Sequence, residues 1–276
     1  MIKSCIKIVI ILSLFFGMSA SASILEEKVE NIIGQNDYNI HKSLITHLLK
    51  NEEKFLLNGK VKYYNLFNEL QQNGLLNLRL DRPKDIVIEF KILNNNVKAY
   101  KILNDTMQSL GYRYFFTKSF EYNQSKELIW KIIFKAEYML DPVELLKDLK
   151  ANNCKILDVK KLQKDHWYYE IDFQDSIISR AIAIEKNEKV KFQKPLRAFF
   201  LSVDNIKELQ VMSRNLNNWF PHIVFFDKDL NVKKVIKKNR VYKGVKIKVP
   251  EGTKYVKVTD LYNLINIKRG LTIIVR

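Results

Sequence analysis

Asp85-Ile86-Val87-Ile88-Glu89-Phe90-Lys91-Ile92-Leu93-Asn94-Asn95-Asn96-Val97-Lys98-Ala99-Tyr100 changes its hydrophobic period partway along. Ile86, Ile88, Phe90 and Ile92 recur every second residue, the period of a strand with one buried face. After the three asparagines, Val97, Tyr100, Leu103, Met107 and Leu110 recur at helical spacing until Gly111, where a helix can end in a left-handed cap. The stretch therefore predicts a strand followed by a helix.

The same units continue C-terminally. Tyr112, Tyr114, Phe116, Phe120 and Tyr122 alternate, Asn123 to Lys126 turns the chain, and Leu128 to Tyr138 runs back as a hairpin partner. Asp141-Pro142-Val143-Glu144 is a helix start, with Asp at the cap, Pro at the first helical position and Glu three residues after the cap. Leu145, Leu146 and Leu149 form its apolar stripe, and Cys154–Val159 and Trp167–Phe173 follow as strands. This order predicts a ferredoxin-like βαββαβ domain over 81–175, with one strand added.

On the N-terminal side, Ile40, Leu44, Ile45, Leu48, Leu49 and Leu56 predict an amphipathic helix over 39–57. Asn58-Gly59 breaks it. Val61, Tyr64, Phe67 and Leu70 predict a second helix closed by Gly74, giving a helical hairpin within 23–80. Residues 176–276 carry short β-rich runs separated by polar turns, the pattern of a β-sandwich. The expected fold class is thus α+β and multidomain.

At the extreme N-terminus Lys3 and Lys7 precede an apolar run, Ile8 to Phe16, and Ala20-Ser21-Ala22 offers a cleavage site. Residues 1–22 are accordingly expected to be a signal peptide, and the protein to be exported to the periplasm or secreted. The apolar run is shorter than the roughly 20 residues a membrane-spanning helix needs, so no span is expected after cleavage. Removal of this segment takes Cys5 and leaves Cys154, a chain with no internal disulfide.

In the last domain, Trp219-Phe220-Pro221-His222-Ile223-Val224-Phe225-Phe226-Asp227 and the later run Val245 to Val256, with its Pro250-Glu251-Gly252-Thr253 turn, resemble the strands of galactose-binding-like jelly rolls. The resemblance covers roughly the last 80 residues and implies a jelly-roll-like sandwich of a kind that often binds glycan or another protein.

Motifs of familiar chemistry are missing from the sequence: no G-x-S-x-G, no H-E-x-x-H, no glycine-rich phosphate loop and no paired cysteines. His41 and His47 are six apart and fall on different helical faces. Asp227-x-Asp229-x-Asn231 opens like a calcium loop but lacks its glycine and closing glutamate. Glu170 and Asp172 share a strand face without a third group beside them. No cofactor or metal is expected, and the chain is not expected to be an enzyme.

Charge supplies the one functional candidate. The formal net charge is +17, and between Val232 and Lys248 stand Lys233, Lys234, Lys237, Lys238, Arg240, Lys243, Lys246 and Lys248 with no acidic residue. Clustered like charge repels itself, and an anionic partner relieves that repulsion. Export removes nucleic acid from reach, leaving an envelope protein or an anionic glycan as expected partner. Trp219 is a candidate sugar-stacking ring. The expectation is a non-catalytic binding or scaffold module of the envelope, with a glycan-binding module as alternative and an unfamiliar envelope enzyme third.

Overall fold

A computed structural model describes residues 24–125 and 127–276. The expected signal peptide, residues 1–22, lies outside the described residues. The chain is of mixed α/β composition and forms two compact units, the first ending at Ile177 and the second running from Ile178 to Arg276.

The first unit begins with α1 (residues 24–33) and α2 (Gln35–Leu48). A short 3-10 turn leads to β1 (Leu56–Leu57) and β2 (Lys60–Val61), and α3 (Tyr63–Gln72) follows. The expected helix over 39–57 thus stops early. Asn58 and Gly59 adopt φ of 50° and 72°, and Leu57 pairs with Lys60, so the dipeptide closes a two-residue hairpin. Asn-Gly is well suited to such a turn because both central residues need positive φ, and this local chemistry outweighs the helical spacing of Leu56. Ile40, counted in the apolar stripe, is 67% exposed.

Next come β3 (Arg79–Leu93), α4 (Asn96–Ser109), β4 (Phe116–Tyr122), β5 (Leu128–Tyr138), α5 (Pro142–Ala151), β6 (Lys155–Gln163) and β7 (His166–Asp172). The strands form one sheet in the order β4-β5-β3-β7-β6. β3 lies at its centre, antiparallel to β5 and parallel to β7. The alternating Ile86, Ile88, Phe90 and Ile92 are all buried, and Phe90 meets Trp130 and Tyr169 at ring separations of 5.8 and 5.9 Å. Helices cover this face: Tyr100 of α4 lies 4.9 Å from Trp130, and Phe67 of α3 lies 5.7 Å from Trp167. The opposite face is laced with ion pairs, Lys131–Glu89 at 3.1 Å and Lys91 to Glu127 and Glu170 at 3.0 and 3.3 Å.

The helix ends follow the sequence signals. Gly74, at φ 70°, ends α3 with Leu75 N donating to Leu70 O at 2.8 Å and Gly74 N to Gln71 O at 3.1 Å. Asp141 caps α5, its Oδ1 accepting from Val143 N at 2.8 Å and Glu144 N at 3.3 Å. The N-terminal helices are tied to the sheet through Asp158 of β6, which accepts from Lys28 Nζ at 2.8 Å and Tyr63 Oη at 2.5 Å. Burial is the largest influence on that carboxyl and pushes its pKa up, but the hydrogen bonds from Lys28, Tyr63 and Lys160 together hold it below the ordinary aspartate value.

The second unit contains β8 (Ile182–Ala183), β9 (Lys189–Lys191), β10 (Phe199–Ser202), β11 (Glu208–Ser213), β12 (Pro221–Phe226), β13 (Val232–Lys237), β14 (Gly244–Lys248), β15 (Tyr255–Asp260) and β16 (Leu271–Val275). They make two sheets, β13-β12-β15-β10-β8 and β14-β11-β16-β9. The pairings nest: β12 with β13, β11 with β14, β10 with β15 and β9 with β16, each antiparallel. Leu201, Ile223, Phe225, Val256 and Val258 from the first sheet share one buried cluster with Leu209, Val211, Ile247, Ile273 and Val275 from the second. The layers are two sheets enclosing one core, a β-sandwich.

Candidate functional site

The basic run lies on β13, β14 and their connection, where each strand ends its own sheet. The two strands do not pair with each other: β13 pairs with β12 and β14 with β11. What reads in sequence as a basic hairpin is therefore a crossing between the sheets along one side of the sandwich. Residues 238–243 make the crossing and are pinned at both ends. Lys238 N donates to Pro221 O and Tyr242 N to Trp219 O, both at 2.9 Å, and Ser213 N donates to Lys243 O at 2.9 Å.

On β14 alternation decides which side chains face out, whereas the edge strand β13 exposes every side chain but Ile236. Ile236, Val245 and Ile247 pack on the core, while Lys233, Lys234, Lys237, Lys238, Arg240, Lys243, Lys246 and Lys248 are all exposed. Lys246 pairs with Glu208 at 2.9 Å. Among the described residues, Lys233, Lys234, Lys237, Lys238, Arg240, Lys243 and Lys248 form no ion pair with a carboxylate. Arg240 instead lies over the Tyr242 ring, 5.3 Å from its centroid, with Nε donating to Tyr242 Oη at 3.0 Å. Lys234 Nζ donates to Lys248 O at 3.5 Å, bridging the two edge strands. Lysine on an edge strand also discourages pairing with another chain, so the cluster protects both exposed edges.

The field of this cluster is felt by its neighbour. His222 stands opposite Lys237 in the β12–β13 register. Burial first, and then the positive charges of Lys237 and Lys257, hold its imidazole below the ordinary histidine value.

At the end of the sandwich where β13 begins and β14 finishes, an open groove of about 1170 Å³ lies among the loops 203–207, 227–231 and 249–254. Lys207, Lys234, Lys248 and Lys254 line it together with Asp204, Asn205 and Glu251. Lys254 pairs with Asp204 at 3.6 Å. Asp227 organises one of these loops: its Oδ1 accepts from Asp229 N at 2.8 Å and Asn231 N at 2.9 Å, and its Oδ2 accepts from Asn231 Nδ2 at 2.9 Å. Among the described residues no group of three His, Cys, Asp or Glu side chains could hold a metal.

The other residues singled out in sequence have structural surroundings. Trp219 is fully buried, with Nε1 donating to Thr259 O at 3.0 Å, so it has no free ring face for a sugar to stack on. Its position between two apolar runs put it in the core. His41 and His47 are exposed. Glu170 pairs with Lys91 at 3.3 Å and accepts from Tyr168 Oη at 3.0 Å, while Asp172 accepts from Asn94 Nδ2 and Gln174 N, both at 2.9 Å. Burial pushes the Cys154 thiol up to about 12.

Two features escaped the sequence. The groove draws Asp204 and Lys207 of one loop together with Glu251 of another, with no shared motif. Tyr114 and Phe116, beside and on the edge strand β4, are 91% and 77% exposed, and alternation alone does not tell which face of a strand stays open. No protein-family model matches the chain, and no curated protein matches it.

Proposed function

We propose that the protein is an exported, non-catalytic binding or scaffold module of the cell envelope that docks on an anionic partner through the edge of its sandwich. The observation that carries this is the row of exposed cations on β13, β14 and their connection, of which, among the described residues, only Lys246 pairs with a carboxylate. Unrelieved repulsion between neighbouring cations is a standing cost that an anionic surface removes.

The finer fold reading supports such a role. The four nested antiparallel pairs divided between two sheets suit a jelly-roll-like sandwich, whose exposed sides and loop ends serve recognition. The β3-α4-β4-β5-α5 succession suits a ferredoxin-like arrangement, elaborated by β7 entering beside β3. Neither fold names a function by itself. Export rests on the charged leader and the Ala20-Ser21-Ala22 site, and N-terminal sequencing tests it: a mature chain beginning near Ser23 agrees, and a retained Met1 overturns it.

Fractionation with washed envelopes tests docking. Wild-type protein and the Lys237→Glu/Lys238→Glu/Arg240→Glu triple variant are compared across a salt series, with circular dichroism to check folding. Salt-sensitive retention of the wild type and its loss in the variant is the expected result, because exposed charges are screened within about 8 Å at physiological ionic strength. Equal retention of both proteins overturns the docking surface.

A further inference from the structure

Resting on that docking surface, we infer that its partner is an extended acidic glycan, seated with one end in the loop groove and running along the β13 and β14 edges.

Three observations converge on a chain with both charges and hydroxyls. First, the cations form a strip. Lys233, Lys234 and Lys248 stand at the groove end, and Lys237, Lys238, Arg240 and Lys243 at the other. At about 3.3 Å per residue, Lys234 and Lys237 are separated by about 10 Å along β13. A single small anion reaches one end only, whereas an extended polyanion bridges both. Secondly, the strip follows a seam between two sheet edges, with Lys234 reaching across to Lys248 O, and a seam favours a thread over a flat surface. Thirdly, the groove is mixed. Lys207, Lys234 and Lys248 present ammonium donors, while Glu251, Asp204 and the Asn205 amide present acceptors. Carboxylates repel phosphate headgroups or an acidic protein face, but they accept hydrogen bonds from sugar hydroxyls. A ligand that is anionic and rich in hydroxyls satisfies both sets; a purely anionic one satisfies half.

The test measures binding of three probes to the full protein: heparin oligosaccharides of graded length, inorganic polyphosphate, and vesicles containing phosphatidylglycerol. Affinity for heparin is expected to rise with length until the chain spans the edge and then to level off. For long oligosaccharides, Lys237→Gln/Lys238→Gln/Arg240→Gln lowers the slope of log K against log salt by about three, one for each contact removed. The same variant leaves the shortest oligosaccharides unaffected. Asp204→Ala/Glu251→Ala weakens heparin while strengthening polyphosphate, because it removes acceptors for hydroxyls and repulsion towards phosphate together.

An Asp204→Ala/Glu251→Ala variant that binds both probes more tightly, or affinity indifferent to chain length, overturns the glycan assignment. Wild-type preference for polyphosphate or vesicles overturns it too while leaving the docking surface in place. If none of the probes responds to the Lys237/Lys238/Arg240 variant, the docking surface itself fails. Circular dichroism shows that each variant folds.

Discussion

Replacing Asp260 with alanine is expected to be among the most damaging single changes in the sandwich. The side chain is 6% exposed. Its Oδ2 accepts from Phe220 N at 2.7 Å, and its Oδ1 accepts from Tyr262 N and Asn263 N, both at 2.9 Å, and from Asn266 Nδ2 at 3.0 Å. One carboxylate thus joins the start of β12 to the turn after β15. Hydrogen bonds to a charged group contribute about 1.5 to 3 kcal/mol each, but Tyr262 and Asn263 are exposed and water can replace the acceptor there. Phe220 N is partly shielded and loses most. The total is about 3 to 4 kcal/mol for Asp260→Ala. Asp260→Asn keeps an oxygen for the three donors on Oδ1 but turns an NH₂ group towards Phe220 N, costing about 2 kcal/mol. For a unit of about 100 residues, 3 kcal/mol corresponds to a fall in Tm of roughly 12 to 24 °C. Thermal denaturation gives the order wild type, Asn, Ala, and hydrogen exchange at Phe220, Tyr262 and Asn263 locates the loss. Both variants lying within about 0.5 kcal/mol of wild type would refute the assigned role, that being the range of ordinary surface changes.

Asp141→Ala removes the cap of α5 and the bond from Gln71 Nε2 at 2.9 Å, and is expected to lower the stability of the first unit by about 0.5 to 2 kcal/mol in urea denaturation. Gly270 sits at φ 84° with an added Cβ falling 1.9 Å from Phe192 O, so Gly270→Ala is expected to cost more than about 3 kcal/mol by the same assay. The Asp158 carboxyl has its native pKa depressed, so the stability it adds is present above the unfolded aspartate value and is lost as pH falls through the native one. Asp158→Asn is therefore expected to be less stable at neutral pH and to show a shallower loss below about pH 4 in acid titrations followed by circular dichroism. The raised Cys154 thiol is expected to resist iodoacetamide in the native protein at pH 8 and to react once urea unfolds it, as mass spectrometry reads out.

The elements that sequence made legible are those whose cause is local. The period of Ile86 to Ile92 is the pleat itself, and Gly74, Gly111 and Asp141-Pro142 are end signals that act within a turn of their helix. Asn58-Gly59 was visible as a breaker, yet its role as a hairpin turn depends on pairing between Leu57 and Lys60 that helical spacing concealed. Parallel pairing of β7 with β3 is a long-range choice and leaves no trace in either strand. The basic run was legible as charge but not as shape. Two β-rich stretches joined by a polar loop look alike whether the strands pair or part, and only the identity of β12 and β11 as their neighbours separates the cases. The groove carries still less signal, because its charges come from three loops and from the strands β13 and β14.

The nested pairing of the sandwich sets an order on its assembly. β12 and β13 are joined by a short loop and close with little loss of chain entropy, whereas β9 and β16 bring Val190 beside Ile273 across most of the unit. Each inner pair shortens the effective loop for the next, so formation proceeds outwards from a central ribbon. β16 then inserts between β11 and β9, completing the second sheet. A ribosome making the chain therefore holds a sandwich that stays open until Leu271–Val275 has been made, whatever the progress of the unit before it.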